Sequence, residues 1–216
     1  GTTNQAANSE NFSGSTWTKT NVSTVAAKTT APDGNPTASP LNETTDSSDL
    51  IHSMLENATS AATTGSPVTF SIYAKANTAS IIQLVAQGAV ATPQYANFDL
   101  VNGVRTRSST GILQTSVRKF KNGWYRISIT ITPTVAASPQ FTLALINDVT
   151  SAAALPAYTG TGKGIYIWGA QIENWDGVTP YIPTSGVAVT RPDEVCTVRQ
   201  DLDFMATDRG AIFADY

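Results

Sequence analysis

The segment that most constrains the fold runs from Gly164 to Glu173, with the sequence GIYIWGAQIE. Successive side chains of an extended strand point to opposite faces, so the apolar residues here are divided between the two faces. One face carries Ile165, Ile167 and the aliphatic part of Gln171, and the other carries Tyr166, Trp168, Ala170 and Ile172. A strand that is largely apolar on both faces belongs in the middle of a sheet, between two layers. Gly169 interrupts the run and predicts a bulge or a close approach by a neighbouring backbone.

Shorter alternating segments precede this strand. Residues 68–75 alternate apolar and polar side chains, which predicts a half-buried strand with one polar face. Residues 124–131 show the cleanest alternation. Their inward positions are Tyr125, Ile127, Ile129 and Ile131, and their outward positions are Arg126, Ser128 and Thr130. Residues 49–56 also fit one face of a short helix, but the surrounding Thr and Ser residues favour a strand. The pattern predicts an all-β fold: a two-sheet antiparallel β-sandwich of jelly-roll type with an extended C-terminal segment.

Composition narrows the class of protein. Hydrophobic residues are 41% of the chain and charged residues only 13%, which is typical of extracellular β-sandwiches and fibre proteins. A net charge of -3 gives no overall basic excess for binding nucleic acid or anionic lipid. Cys196 is the single cysteine, so the chain cannot form an internal disulfide. No apolar run is long enough to predict a membrane span.

Three parts are predicted along the chain. Residues 1–10 are polar and lack periodicity, so we expect an N-terminal arm. Residues 11–191 contain the strand patterns and form the jelly roll, with Trp17, Trp124 and Trp168 in its core. Residues 192–216 are first charged and then apolar, which predicts a linker and the start of a following module.

Several motifs, taken in order, resemble one family. They include residues 122–126 (NGWYR), 158–160 (YTG), 165–173 (IYIWGAQIE), 180–184 (PYIPT) and 189–191 (VTR). Earlier segments at 8–12, 31–34 and 69–76 extend the match, so that the set spans residues 8–195. The chain resembles the carbohydrate-binding-module-like jelly rolls of tailed-phage virion proteins, which occur in tail fibres, head fibres and spikes.

The resemblance implies a non-catalytic domain on the virion surface that attaches the particle to host-surface glycans. It also implies other virion subunits as partners and a homotrimeric fibre. Two alternatives stay open: a purely architectural decoration or collar module that binds no sugar, and a fragment of a polysaccharide depolymerase.

Aromatic rings near loops are the candidate glycan contacts, because a ring can stack on the apolar face of a pyranose. The candidate rings are Trp175, Tyr158 and Tyr95, and the candidate polar partners are Asp176, Asn174 and Asn97. The alternative for each is packing at an edge of the sandwich or at a subunit interface. Catalysis is not expected, since the only histidine, His52, has no glycine-flanked serine beside it.

Calcium is the one cofactor that the resemblance implies, as a structural ion held by oxygen ligands. Its candidate ligands are Glu10, Asp33 and Glu173. The alternative is that these carboxylates are solvated or paired with Arg or Lys. No membrane insertion is expected.

Overall fold

The predicted all-β class is confirmed. A computed structural model of the protein describes residues 1–26 and 29–192. The predicted linker and following module beyond residue 192, together with Cys196, lie outside the described residues. The strands are β1 (Thr2–Asn4), β2 (Thr18–Thr20), β3 (Val22–Thr24), β4 (Ser39–Glu43), β5 (His52–Asn57), β6 (Val68–Ala76), β7 (Ile81–Gln87), β8 (Gln94–Asp99), β9 (Val104–Ser108), β10 (Ile112–Lys119), β11 (Trp124–Ile131), β12 (Gln140–Leu145), β13 (Gly164–Glu173) and β14 (Val189–Arg191).

Two six-stranded antiparallel sheets form the sandwich, as the jelly-roll prediction requires. Sheet I has the strand order β10-β11-β6-β13-β4-β3, and sheet II has the order β2-β5-β12-β7-β8-β9. Strands β1 and β14 pair in a separate two-stranded sheet. The segment that also fitted a short helix forms strand β5, so the strand prediction is confirmed there.

Strand β13 lies in the middle of sheet I, between β6 and β4, as predicted. The predicted bulge is present at Gly169, which has a φ of 61°, and the register with β6 shifts between Trp168 and Gln171. The bulge reverses the alternation, because one extra residue moves every later side chain to the other face. Ala170 and Ile172 therefore join the core between the sheets, whereas Gln171 shares the outer face with Trp168, which corrects the predicted division.

The inner faces of the two sheets enclose the main hydrophobic core. Phe70 of β6 and Phe141 of β12 stack across it, with ring centroids 5.0 Å apart and planes inclined by 19°. The inward positions predicted for β11 are confirmed, since its isoleucines and Tyr125 belong to this core. Trp17 is also buried there, beside Phe12.

A second apolar cluster covers one end of the outer face of sheet I. Trp124 and Trp168 are buried in it, so they are core residues as predicted, but they do not lie between the sheets. Residues 29–38 fold over these rings. Trp124 Nε1 donates to the Thr30 carbonyl at 3.2 Å, and Trp168 Nε1 donates to Thr37 Oγ1 at 2.9 Å.

Residues 1–10, predicted to form an arm outside the jelly roll, are packed into it. Asn4 is fully buried, and its Nδ2 donates to the carbonyls of Ala170 at 3.0 Å and Ile182 at 2.8 Å. Its Oδ1 accepts from the backbone N–H groups of Ala6 at 3.0 Å and Ile172 at 3.1 Å. The segment lacks apolar periodicity because polar side chains, rather than an apolar stripe, attach it to β13.

Candidate functional site

The outer face of sheet I carries three rows of aligned side chains, the first of which ends in the tryptophan cluster. Antiparallel pairing of β10, β11, β6 and β13 places residues of one row directly beside each other. The rows are Arg118, Arg126, Tyr73 and Trp168; Ser116, Ser128, Ser71 and Gln171; and Gln114, Thr130, Thr69 and Glu173. A mostly polar sheet face of this kind can bind a ligand if it is left open.

Residues 174–182, which we call the crossing loop, cover the β6 and β13 side of this face. Thr69 Oγ1 donates to the Trp175 carbonyl at 2.8 Å and accepts from the Gly177 N–H at 3.0 Å. The Glu173 carboxylate accepts from both the N–H and the hydroxyl of Thr179. Arg126 donates to the Thr179 carbonyl at 2.7 Å. The loop is thus held to the sheet at several points and forms a wall.

A groove of about 550 Å³ lies between the crossing loop and the outer positions of β10 and β11. Its volume is within the range of small-molecule binding sites. The row of Gln114 and the row of Arg118 are four residues apart, so the floor is about 14 Å long at ~3.4 Å per residue. This length suits an extended ligand of more than one ring.

One end of the groove is aromatic. Tyr73, Phe120 and Tyr181 line it, and Phe120 and Tyr181 are half-buried. The Tyr73 and Phe120 rings meet edge to face at 5.0 Å, and Tyr73 and Tyr181 do so at 6.1 Å. The Arg118 guanidinium lies 5.4 Å from the centre of the Phe120 ring. These rings supply apolar surface beside the polar rows.

The rest of the floor carries hydroxyl and amide groups. Ser116 and Ser128 hydrogen-bond to each other at 2.6 Å, and the Thr69 and Thr130 hydroxyls do so at 2.8 Å. Exposed side chains that line the groove include Gln114 and Ser116. Such groups can exchange hydrogen bonds with the hydroxyls of a bound molecule.

The predicted residues Trp175, Asp176 and Asn174 lie in the crossing loop and are exposed, so they border the groove. Trp175 is 59% exposed, but its ring does not line the groove. Asp176 accepts a hydrogen bond from Gln114 Nε2 at 2.8 Å and so connects the loop to β10. Of the six predicted glycan contacts, these three are close together.

The other three predicted contacts are buried, and two of them, Tyr95 and Asn97, lie on strand β8. Tyr95 and Tyr158 are each only 7% exposed, so neither offers a ring face to a ligand. Tyr158 donates to Glu43, and burial raises its pKa above the ordinary value. Asn97 is fully buried on β8 and donates to the carbonyls of Val149 at 3.2 Å and Ser151 at 2.9 Å. The polar groups of Tyr158 and Asn97 are therefore used in hydrogen bonds within the fold.

The three predicted calcium ligands are not gathered into one site. Glu10 accepts from the Tyr181 hydroxyl at 2.9 Å, Asp33 caps an exposed turn through Asn35, and Glu173 binds Thr179. No group of three or more His, Cys, Asp or Glu residues suited to a metal occurs within residues 1–26 and 29–192. Each carboxylate therefore has a local hydrogen-bonding role.

A second concavity, of about 350 Å³, lies near Glu43 and Tyr158. Glu43 accepts from Tyr158 and from the N–H groups of Thr161 at 2.7 Å and Lys163 at 3.4 Å. Burial acts to raise the pKa of Glu43, but these hydrogen bonds lower it below the ordinary value. With its hydrogen bonds already satisfied, Glu43 helps to close a loop.

Sequence reasoning did not assign four residues of the groove to a site: Arg118, Phe120, Arg126 and Tyr181. A signal was available for one of them, because alternation in β11 correctly predicted that Arg126 points outward. Placing Arg118 beside it needed the register between β10 and β11, which the sequence does not show.

No protein-family model matches the chain, and a search of curated proteins found no significant relative. Among the residues described, no helix is both long enough and apolar enough to cross a membrane. The groove brings aromatic, hydroxyl, amide and guanidinium groups together on one face of the sandwich.

Proposed function

We propose that the chain is a non-catalytic domain of a phage virion protein, in a tail fibre, head fibre or spike, that binds glycans on the host surface. The observation that carries this proposal is the groove, which combines aromatic rings with rows of hydroxyl and amide groups. A sugar presents an apolar ring face and polar hydroxyls, so its recognition needs both kinds of group. The virion setting rests on the resemblance in the sequence.

The shape of the groove supports an oligosaccharide ligand. A floor about 14 Å long, at ~3.4 Å per residue, accommodates several linked rings. A single groove of this kind binds weakly, and a homotrimeric fibre would present three grooves to one surface. Multiple copies raise the overall affinity without new contacts.

Binding without cleavage fits the lining of the groove. Its side chains are aromatic, hydroxyl, amide and guanidinium groups. Glycoside hydrolysis uses two carboxylates on either side of the scissile bond. The acids that hydrogen-bond to residues lining the groove include Glu173, which accepts from Thr179, Asp176, which accepts from Gln114, and Glu10, which accepts from Tyr181.

A glycan array tests the proposal, with the protein in its assembled form. We expect binding by the wild type and a clear loss of binding for Phe120→Ala, because this removes a ring from the aromatic end. Leu113→Ala is the matched control, since Leu113 is 52% exposed on β10, the strand that ends just before Phe120, but does not line the groove. Trp175→Ala tests the crossing loop separately.

Absence of binding to the array and to host cells would contradict the proposal. An architectural module of the virion, without a sugar site, would then be favoured. Equal loss of binding in the Phe120 and Leu113 variants would place the site elsewhere on the domain.

A further inference from the structure

Two arginines lie side by side in the groove. Arg118 of β10 and Arg126 of β11 are directly paired across the two strands, and both side chains line the groove. Like charges opposite each other on neighbouring strands are destabilising. Their pairing therefore has a structural cost that sheet formation alone does not explain.

Arg126 is only 6% exposed, and one of its guanidinium nitrogens has no hydrogen-bond partner. It donates to the Thr179 carbonyl at 2.7 Å and to Ser71 Oγ at 3.0 Å, but its buried Nε has no hydrogen-bond partner. No carboxylate of the described residues lies within 4.0 Å of its guanidinium. Burial lowers the pKa of Arg126, and Tyr73 and then Glu173 partly oppose this shift. The guanidinium lies 5.1 Å from the centre of the Tyr73 ring. A buried guanidinium normally has an anionic partner, because its desolvation is otherwise poorly offset.

Acidic and basic residues are unevenly distributed along the sequence. Residues 100–147 contain none of the 16 Asp and Glu residues, although the whole chain has a net charge of -3. The same stretch contains Arg105, Arg107, Arg118, Lys119, Lys121 and Arg126, six of the 13 basic residues. It includes β10 and β11, which carry the open side of the groove. A cleft with one sign of charge attracts ligands of the opposite sign.

The side chains that line the groove include no Asp or Glu among the described residues. Asp176 stands at the border, where Gln114 Nε2 donates to it at 2.8 Å. An anion at the arginine end would thus meet two guanidinium groups that have no carboxylate of the described residues within 4.0 Å, while the Glu173 carboxylate accepts hydrogen bonds from Thr179.

From these observations we infer that the groove selects an acidic saccharide, whose carboxylate or phosphate group binds at Arg118 with Arg126 beneath it. This inference rests on the proposed glycan binding and adds the chemical class of the glycan. Arg118 is exposed and its planar guanidinium can donate two parallel hydrogen bonds to such a group. Arg126 is a positioning residue that adds positive potential and fixes the crossing loop through Thr179.

Isothermal titration with defined polysaccharides tests the inference. The probes are polygalacturonate and polysialic acid as carboxylate sources, a teichoic acid as the phosphate source, and carboxyl-reduced polygalacturonate and dextran as neutral counterparts. Arg118→Gln is the test variant. Arg107→Gln is the matched control, since it removes the same charge from an exposed position of β9 outside the groove.

We expect at least one acidic polymer to bind more tightly than the neutral ones, and Arg118→Gln to weaken that binding at least about tenfold, the effect of losing one charged hydrogen bond. Arg107→Gln should change it little, and Arg118→Lys should restore part of it. The carboxylate and phosphate arms identify the acid group.

Binding of neutral polymers that depends on Phe120 but not on Arg118 would overturn this inference and leave the proposed function intact. Equal effects of the Arg118 and Arg107 variants would also overturn it, because they would indicate non-specific attraction. Failure of every polymer and of the glycan array to bind would refute the proposed function itself.

Discussion

The buried side chain of Asn4 attaches the N-terminal segment to strand β13, and its removal should strongly destabilise the protein. Its amide makes four hydrogen bonds, two of them with Ala170 and Ile172 of β13 and the others with Ala6 and Ile182. Each bond contributes about 1 kcal/mol net, so Asn4→Ala should lower the free energy of unfolding by about 4 kcal/mol. The two carbonyls and two N–H groups that bond to this amide are buried, so in the variant they would lose a hydrogen-bond partner that water does not replace. Asn4→Asp should be at least as harmful, because a carboxylate oxygen would face the two carbonyls.

Urea unfolding followed by tryptophan fluorescence measures this change, since three of the four tryptophans are buried. The dependence of the unfolding free energy on urea should stay constant, so that the shift in midpoint reports stability alone. Asn11→Ala is the control, because Asn11 is exposed and its change should cost less than about 0.5 kcal/mol. If Asn4→Ala lost no more than about 1 kcal/mol, residues 1–10 would not be part of the cooperative fold.

Three further predictions concern the sandwich. Phe141→Ala should destabilise by about 3–5 kcal/mol in the same urea assay, because it opens a cavity beside Phe70; Phe141→Leu should lose much less, and similar losses would argue against tight packing there. Gly164→Ala should cost about 2 kcal/mol in thermal unfolding, since a β-carbon would overlap the Leu41 carbonyl oxygen, and an unchanged melting temperature would contradict that close approach. Burial raises the pKa of Glu56 above its ordinary 4.5, so its stabilising contribution is complete below pH 4.5 and is lost as pH rises through the folded-state pKa. Glu56→Gln should therefore be about 1–2 kcal/mol more stable than wild type at pH 7 and lose this advantage near pH 4, whereas a constant difference between the two pH values would contradict the assignment.

Alternation in the sequence correctly predicted much of the fold because it follows from the backbone geometry of a single strand. It identified β6, β11 and β13, the inward isoleucines of β11 and the outward position of Arg126. It failed after Gly169, where the expected bulge reverses the faces of Ala170 and Ile172. It also failed for residues 1–10, whose polar side chains bond to distant backbone rather than forming an apolar stripe.

The candidate site was much less predictable, because being near a loop does not determine exposure. Tyr95 and Tyr158 were chosen as rings near loops, yet neighbouring segments cover both. Trp175 is exposed as expected. The aromatic end of the groove uses Phe120 and Tyr181, which no local pattern distinguished from structural aromatics.

By itself, the sequence determined the β class, the central position of β13 and the direction of most strand side chains, since these depend on neighbours a few residues apart. Only the tertiary structure decided which outward side chains share a row and which of them remain open. Arg126 meets Arg118 through the register of two strands and meets Thr179 through a loop 53 residues later. Register and loop burial arise from contacts between distant residues, and the groove exists only where those contacts leave the outer face of sheet I uncovered.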